Sequence, residues 1–232
     1  MPRHSVPPGC LSLLVLGGVL LLPFLLANAM LAALGKLGLG PTSSLFAALG
    51  IFGGSLLNVP VTRVEHERTV KYLPSRLMGL HRLFTRPVQH RTYSVIAVNV
   101  GGCLVPTALA GYQAARLALQ APSVLPSALG ALLINVVVCY YVARPVPETG
   151  ITMPAFVPAA AAALCALVLT PEWAPPVAFM AGVLGPLIGA DFLHLDDIAD
   201  IGPGMASIGG AGTFDGIVLS GLVATLLVPG AL

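Results

Sequence analysis

Charge is scarce in this sequence. Only 9% of its 232 residues are Asp, Glu, Lys or Arg, where a soluble domain carries about 25%. A chain so poor in charge has no adequate polar surface to show water. With 56% hydrophobic residues and a mean hydropathy of +0.92, the composition points to an integral membrane protein. Eleven basic against nine acidic residues leave no excess for a nucleic-acid partner. The expected partner is the lipid bilayer, with a further membrane protein or a second copy of the chain beside it. Cysteine is sparse too: Cys10, Cys103, Cys139 and Cys165 stand far apart and form no Cys-x-x-Cys pair. That argues against zinc and dithiol chemistry and suits small buried hydrophobes. No metal-ligand spacing and no cofactor motif occurs, so neither a metal nor a cofactor is expected.

Breakers, in contrast, are abundant, at 26 Gly and 21 Pro. Straight helices do not accommodate so many. In lipid every freed backbone N–H and C=O must still find a partner. Interrupted helices are therefore expected, with their loosened backbone facing protein or a water-filled cavity.

A span needs about 20 mostly apolar residues. Seven stretches qualify: 10–34, 42–60, 93–113, 124–143, 151–170, 174–191 and 208–229. The fold expected is an all-α polytopic transmembrane helix bundle, 1–232 forming a single transmembrane domain with a basic loop at 61–92. The first stretch carries Arg3 ahead of it and Ala27-Asn28-Ala29 near its end, as a cleavable signal peptide would. Its length favours a retained first span. The 61–92 loop holds seven basic residues (Arg63, Arg68, Lys71, Arg76, Arg82, Arg86 and Arg91) against Glu65 and Glu67. The positive-inside rule puts that loop in the cytoplasm. A multi-pass protein of the cell (inner) membrane follows, N-terminus cytoplasmic and C-terminus outside. Leu73, Leu77, Met78, Leu80, Leu83 and Phe84 interleave with the charges, so the loop is expected to be an amphipathic surface helix, a solvated linker being the plainer alternative.

The acids segregate the opposite way. Asp191, Asp196, Asp197, Asp200 and Asp215 fall in a 25-residue window with no Lys or Arg. Asp191 ends the sixth span and Asp215 opens the seventh, so two antiparallel helices bring both carboxylates to one depth near the cytoplasmic face. Two close carboxylates share a proton, the basis both of aspartyl hydrolysis and of proton-coupled transport. A plainer role exists for Asp215, as an acid in a first helical turn capped by Thr213. His194 with the neighbouring acids has no recognised ligand spacing. The glycine-rich run from Gly202 to Gly216 lacks a phosphate-loop lysine and suits close packing of helices. Asn58, Asn99 and Asn135 lie inside apolar spans, where they either line a polar path or bond neighbouring helices together. Arg144-Pro145-Val146-Pro147-Glu148 reads as a stiff cytoplasmic turn.

Four stretches together carry a resemblance: Asn99 to Ala108, Val142 to Pro147, Gly185 to Asp191, and Ala206 to Gly216. They resemble an uncharacterised prokaryotic membrane family, domain of unknown function 1614, over most of the chain after about residue 50. The resemblance implies a polytopic membrane protein and brings no activity with it. A weaker likeness is to the intramembrane aspartyl proteases, whose Gly-x-Gly-Asp hallmark is matched here by Gly189-Ala190-Asp191 only in part. Three functions follow. The first is a small-solute or ion transporter, or a subunit of one, with Asp191 and Asp215 binding a proton or cation and Asn58, Asn99 and Asn135 lining the path. The second is an aspartyl intramembrane protease using the same two acids. The third is a non-catalytic membrane scaffold assembled through its oppositely charged segments.

Overall fold

A computed structural model describes residues 8–70, 88–146, 150–195 and 204–230. Seven α-helices run through the described residues: α1 (Pro8–Lys36), α2 (Pro41–Gly54), α3 (Val105–Gln120), α4 (Leu125–Val142), α5 (Phe156–Leu169), α6 (Ala174–Pro186) and α7 (Gly216–Leu227). Five strands accompany them: β1 (Asn58–Val70), β2 (Val88–Asn99), β3 (Arg144–Val146), β4 (Gly150–Thr152) and β5 (Gly204–Ile208).

The prolines mostly begin helices rather than break them. Proline occupies one of the first two positions of α2, α3, α4 and α6, where its missing N–H is one that a helix start leaves unbonded anyway. The interruptions are two π-helical turns, Val100–Leu104 just before α3 and Leu187–Asp191 just after α6. The second follows directly on Pro186, whose absent N–H removes a ladder bond and lets the turn widen.

Burial runs opposite to that of a soluble bundle. On α4 the buried residues are Ala128, Ala131, Asn135 and Cys139, while Leu129, Leu133, Ile134 and Val137 are exposed. On α5 four alanines and Pro158 face inward while Phe156, Val157, Leu164 and Val168 face out. Small residues inside allow close backbone approach; large apolar ones outside have no aqueous rationale. At the centre stands α6, packed against α3, α4, α5 and α7. It meets α7 at Gly182 and Gly221, where a Cβ on Gly182 would lie 2.9 Å from the Gly221 Cα. Two helical runs, Pro122–Val142 and Pro171–His194, are long and apolar enough to cross a membrane by length and composition. The first is 28% buried and the second 67%, which separates a peripheral helix from the central one.

One end of the bundle is not helical. β1 pairs antiparallel with β2 from Asn58↔Asn99 to Val70↔Val88, with a register shift between Pro60 and Thr62. β5 joins the far side of β2 in parallel, from Ser94↔Gly204 to Val98↔Ile208. This corrects the helix expected for 61–92. Residues 61–70 and 88–92 are strand, and they are rich in β-branched Val and Thr, which fit a pleated surface. The Leu- and Met-rich stretch 71–87, on which the amphipathic helix rested, lies outside the described residues. The expected third span is likewise strand up to Asn99, a π-turn to Leu104, and helix only from Val105. In the glycine-rich run Gly204–Ile208 is strand, and Gly209 and Gly212 turn the chain at φ +71° and +61° in close approach to Gly102 and to Ser55.

Candidate functional site

Asp215 is the N-cap of α7. Its Oδ1 accepts from the Ile217 N–H at 3.0 Å and its Oδ2 from the Ala211 N–H at 3.3 Å. The expected cap, Thr213, instead shares a hydrogen bond of 2.9 Å with the Ser55 hydroxyl, tying this turn to the end of α2. Asp191 is the last residue of the π-turn that follows Pro186. That turn lies against α4 through Gly189, where a Cβ would overlap the Val136 carbonyl.

Both carboxylates line one cavity of about 580 Å3. Its other walls come from Asn58, from Gly150–Met153 on β4 and just beyond it, and from Ala206–Ala211 on β5 and its turn. The cavity sits at the sheet end of the bundle. The helix directions place there the ends of α2, α4 and α6 and the starts of α3, α5 and α7.

The three asparagines separate. Asn58 lines the cavity, and its Oδ1 accepts from Ser207 Oγ at 2.6 Å and from Asn99 Nδ2 at 3.1 Å. Asn99 stands behind it, fully buried. Its Nδ2 also donates to the Ser55 carbonyl at 2.9 Å, and its Oδ1 accepts from the Gly102 N–H at 2.7 Å. Asn99 therefore caps the first π-turn and binds α2, β1 and that turn together. Asn135 is away from the cavity, midway along α4. Its Nδ2 donates to the Ala181 carbonyl of α6 at 2.7 Å, its Oδ1 is buried with no hydrogen-bond partner, and Gly185 leaves room for it.

Sequence reasoning missed Ser55 and Ser207. No pattern marks them; they matter because β1, β2 and β5 meet where they do. Of the acidic window, Asp196, Asp197 and Asp200 lie outside the described residues, as does Glu148 beside the Arg144 turn. His194 is described, with Nδ1 3.1 Å from the Gly189 carbonyl and its ring centroid 4.9 Å from that of Tyr140. Among the described residues no group of three or more His, Cys, Asp or Glu is placed to hold a metal ion.

Residues 52–227 match the model of a family described as "Protein of unknown function (DUF1614)". The chain belongs to this family. No curated protein and no solved structure matches it. Every residue lining the Asp191–Asp215 cavity falls within the matched stretch, whereas α1 lies outside it.

Proposed function

We propose that the chain is a multi-pass protein of the cell membrane whose Asp191–Asp215 cavity binds a proton or cation and couples it to the passage of a small solute. The membrane half of this proposal is supported by the apolar outer faces of α4 and α5 over an interior of Ala, Gly and Asn. In the corresponding topology the N-terminus and the basic 61–92 segment are cytoplasmic and the C-terminus is outside. The observation that carries the site is the convergence of two acids, about 24 residues apart in a chain with nine, on one cavity. Acids at the end of membrane helices are costly to keep without a role.

The two acids have different duties. Two backbone amides hold the Asp215 carboxylate in place, so it serves as a fixed charge. Asp191 rides on a π-turn beside a proline, a locally weakened helix end, and is the group that takes up and releases the ion. Purified protein in liposomes, loaded with a pH-sensitive dye and given a proton or sodium gradient, tests this. Asp191→Asn lowers ion flux by at least about tenfold with the melting temperature unchanged. Equal flux through wild-type, Asp191→Asn and Asp215→Asn proteins sinks the proposal.

A second reading, aspartyl proteolysis, draws on one specific feature. β5, an edge strand of its sheet, lines the same cavity as both acids, and a sheet edge can align an extended peptide. One carboxylate would then activate water while the other, protonated, polarised the scissile carbonyl. Cleavage of a fluorogenic transmembrane peptide that both Asn variants abolish, in a protein that moves no ions, selects this reading over transport.

A further inference from the structure

A second cavity, of about 600 Å3, lies at the opposite end of the bundle. Its walls come from the α1–α2 turn, the last turn of α3, the start of α6 and the chain just after α7. Lys36 and Arg116 both line it. The other nine basic residues are Arg3, the seven of 61–92, and Arg144, all of which the topology above assigns to the cytoplasmic side. Lysine and arginine are biased away from the far side of a membrane, yet the two at this end converge on one cavity.

The hydrogen bonds found for these two cations end on uncharged oxygens. Lys36 Nζ donates to the Val228, Leu226 and Thr225 carbonyls at 2.7, 3.0 and 3.5 Å, closing the C-terminus of α7 and engaging all three of its N–H groups. Arg116 Nη1 donates to the Leu37 carbonyl and, at 3.4 Å, to the Gln113 side chain. Gln113 is itself buried and donates to that same carbonyl at 3.0 Å. Neutral partners fix the cations in place without cancelling their charge, and a guanidinium keeps further N–H groups to offer. Among the described lining residues Glu172 is the one acid, against Lys36 and Arg116. The rest of the wall is apolar, with Trp173, three prolines, two leucines and two glycines.

An exposed face of α3 adjoins the cavity. Arg116 lies over the Tyr112 ring, 5.9 Å from its centroid. Tyr112, Arg116 and Leu119 form one stripe of α3, with Tyr112 48% and Leu119 85% exposed. A pocket at helix ends with two cations and a Trp in its wall, beside an exposed apolar face, has the form of an interfacial headgroup site.

We propose that this cavity binds an anionic phosphate ester, its phosphate bonded by the free N–H groups of Arg116 and drawn by the positive charge of Lys36, with a phospholipid of the outer half of the bilayer as the source. A soluble phosphate ester shares the chemistry. The inference rests on the membrane placement above but on neither aspartate, so its test and the flux assay fail independently.

The test is thermal-shift titration and native mass spectrometry of the full chain in detergent. The probes are phosphatidylglycerol, diacylglycerol (the same chains without phosphate) and glycerol 3-phosphate. Phosphatidylglycerol is expected to stay bound and raise the melting temperature, while diacylglycerol does neither. Arg116→Gln weakens phosphatidylglycerol by about fivefold, Arg116→Lys restores most of it, and Arg144→Gln, at the other end, changes nothing. Glycerol 3-phosphate binding as tightly, with the same Arg116 dependence, assigns the site to a soluble ester; its failure to bind assigns it to the lipid. Diacylglycerol equal to phosphatidylglycerol, or Arg116→Gln equal to wild type, overturns the proposal.

Discussion

The two ends of the bundle solve the same problem, helix termini in a chain with few polar side chains, by opposite means. At the sheet end the backbone itself is irregular. Two π-turns, a parallel strand and three glycines at positive φ (Gly150, Gly209 and Gly212) meet in a small volume, and short side chains (Ser55, Asn58, Asn99, Ser207) close the gaps. At the other end the backbone is plain: α3 and α5 each pass through a single 3-10 turn into the next helix. There long side chains, Lys36, Gln113 and Arg116, reach across to the free carbonyls. Close packing of backbone leaves no tolerance for added atoms, whereas long side chains adjust. The sheet end should therefore be the more fragile under substitution.

The largest effect is expected at Gly102. A Cβ there would overlap the Gly209 carbonyl, backbone against backbone, and neither segment can retreat without dismantling the π-turn or the turn after β5. Gly102→Ala should prevent recovery of a monodisperse protein from detergent. Its counterpart at the other end is Gly38→Ala. Despite φ +76°, the nearest atom to a Cβ there is the Arg116 side chain, at 2.9 Å, whose displacement breaks its bonds to Leu37 and Gln113 but moves no backbone. That variant should fold with a loss of about 2 kcal/mol, the cost of a left-handed alanine and of a weakened hydrogen bond. Equal behaviour of the two variants in size-exclusion profiles would break the contrast between the ends.

Next comes Asn99→Ala. It deletes a fully buried side chain that bonds Ser55, Asn58 and Gly102. The loss should be about 2–4 kcal/mol, because the deserted carbonyl and amide stay buried. Thermal unfolding in detergent would show it as the largest shift of any of the three asparagine variants.

Composition and residue pattern revealed the outline of this architecture and missed its irregular end. The helical character of the chain was legible because long runs of Leu, Val and Ala have few other outcomes, although the third run is strand as far as Asn99. Asp191 and Asp215 could be paired from sequence because a short connection forces adjacent helices to be antiparallel. The sheet was not legible. β1 and β2 are joined through a long connection, and β5 enters from more than a hundred residues further on. No local period encodes such pairing, and the charges in β1 resembled a solvated face. Nor was it legible that Asn99 serves as a cap while Asn58 faces the cavity. Both sit beside a breaker in an apolar run, and only the register Asn58↔Asn99 sets one in front of the other.

At the plain end, Lys36→Met should cost less than Asn99→Ala. It removes charge-assisted bonds to the last carbonyls of α7, worth about 1.5–3 kcal/mol in a buried setting. Lys36 is only partly buried, so the loss falls at the low end of that range. Because the bonds join α1 to α7, proteolysis near residue 230 should accelerate in the variant while the sheet end stays protected.

The smallest effect is expected at Asn135, which belongs to neither end. Its one bond, to the Ala181 carbonyl, is worth about 0.6 kcal/mol by analogy with interhelical polar contacts in membranes. Asn135→Ala also removes an oxygen that is buried without a partner, a gain that offsets part of that loss. The variant should melt within a degree or two of wild type, roughly the shift that half a kcal/mol produces in a chain of this size. It should also leave ion flux through the Asp191 cavity unchanged. A fall in flux without a fall in melting temperature would restore Asn135 to the path and show that the route from the acidic cavity continues along α4 into the middle of the bundle.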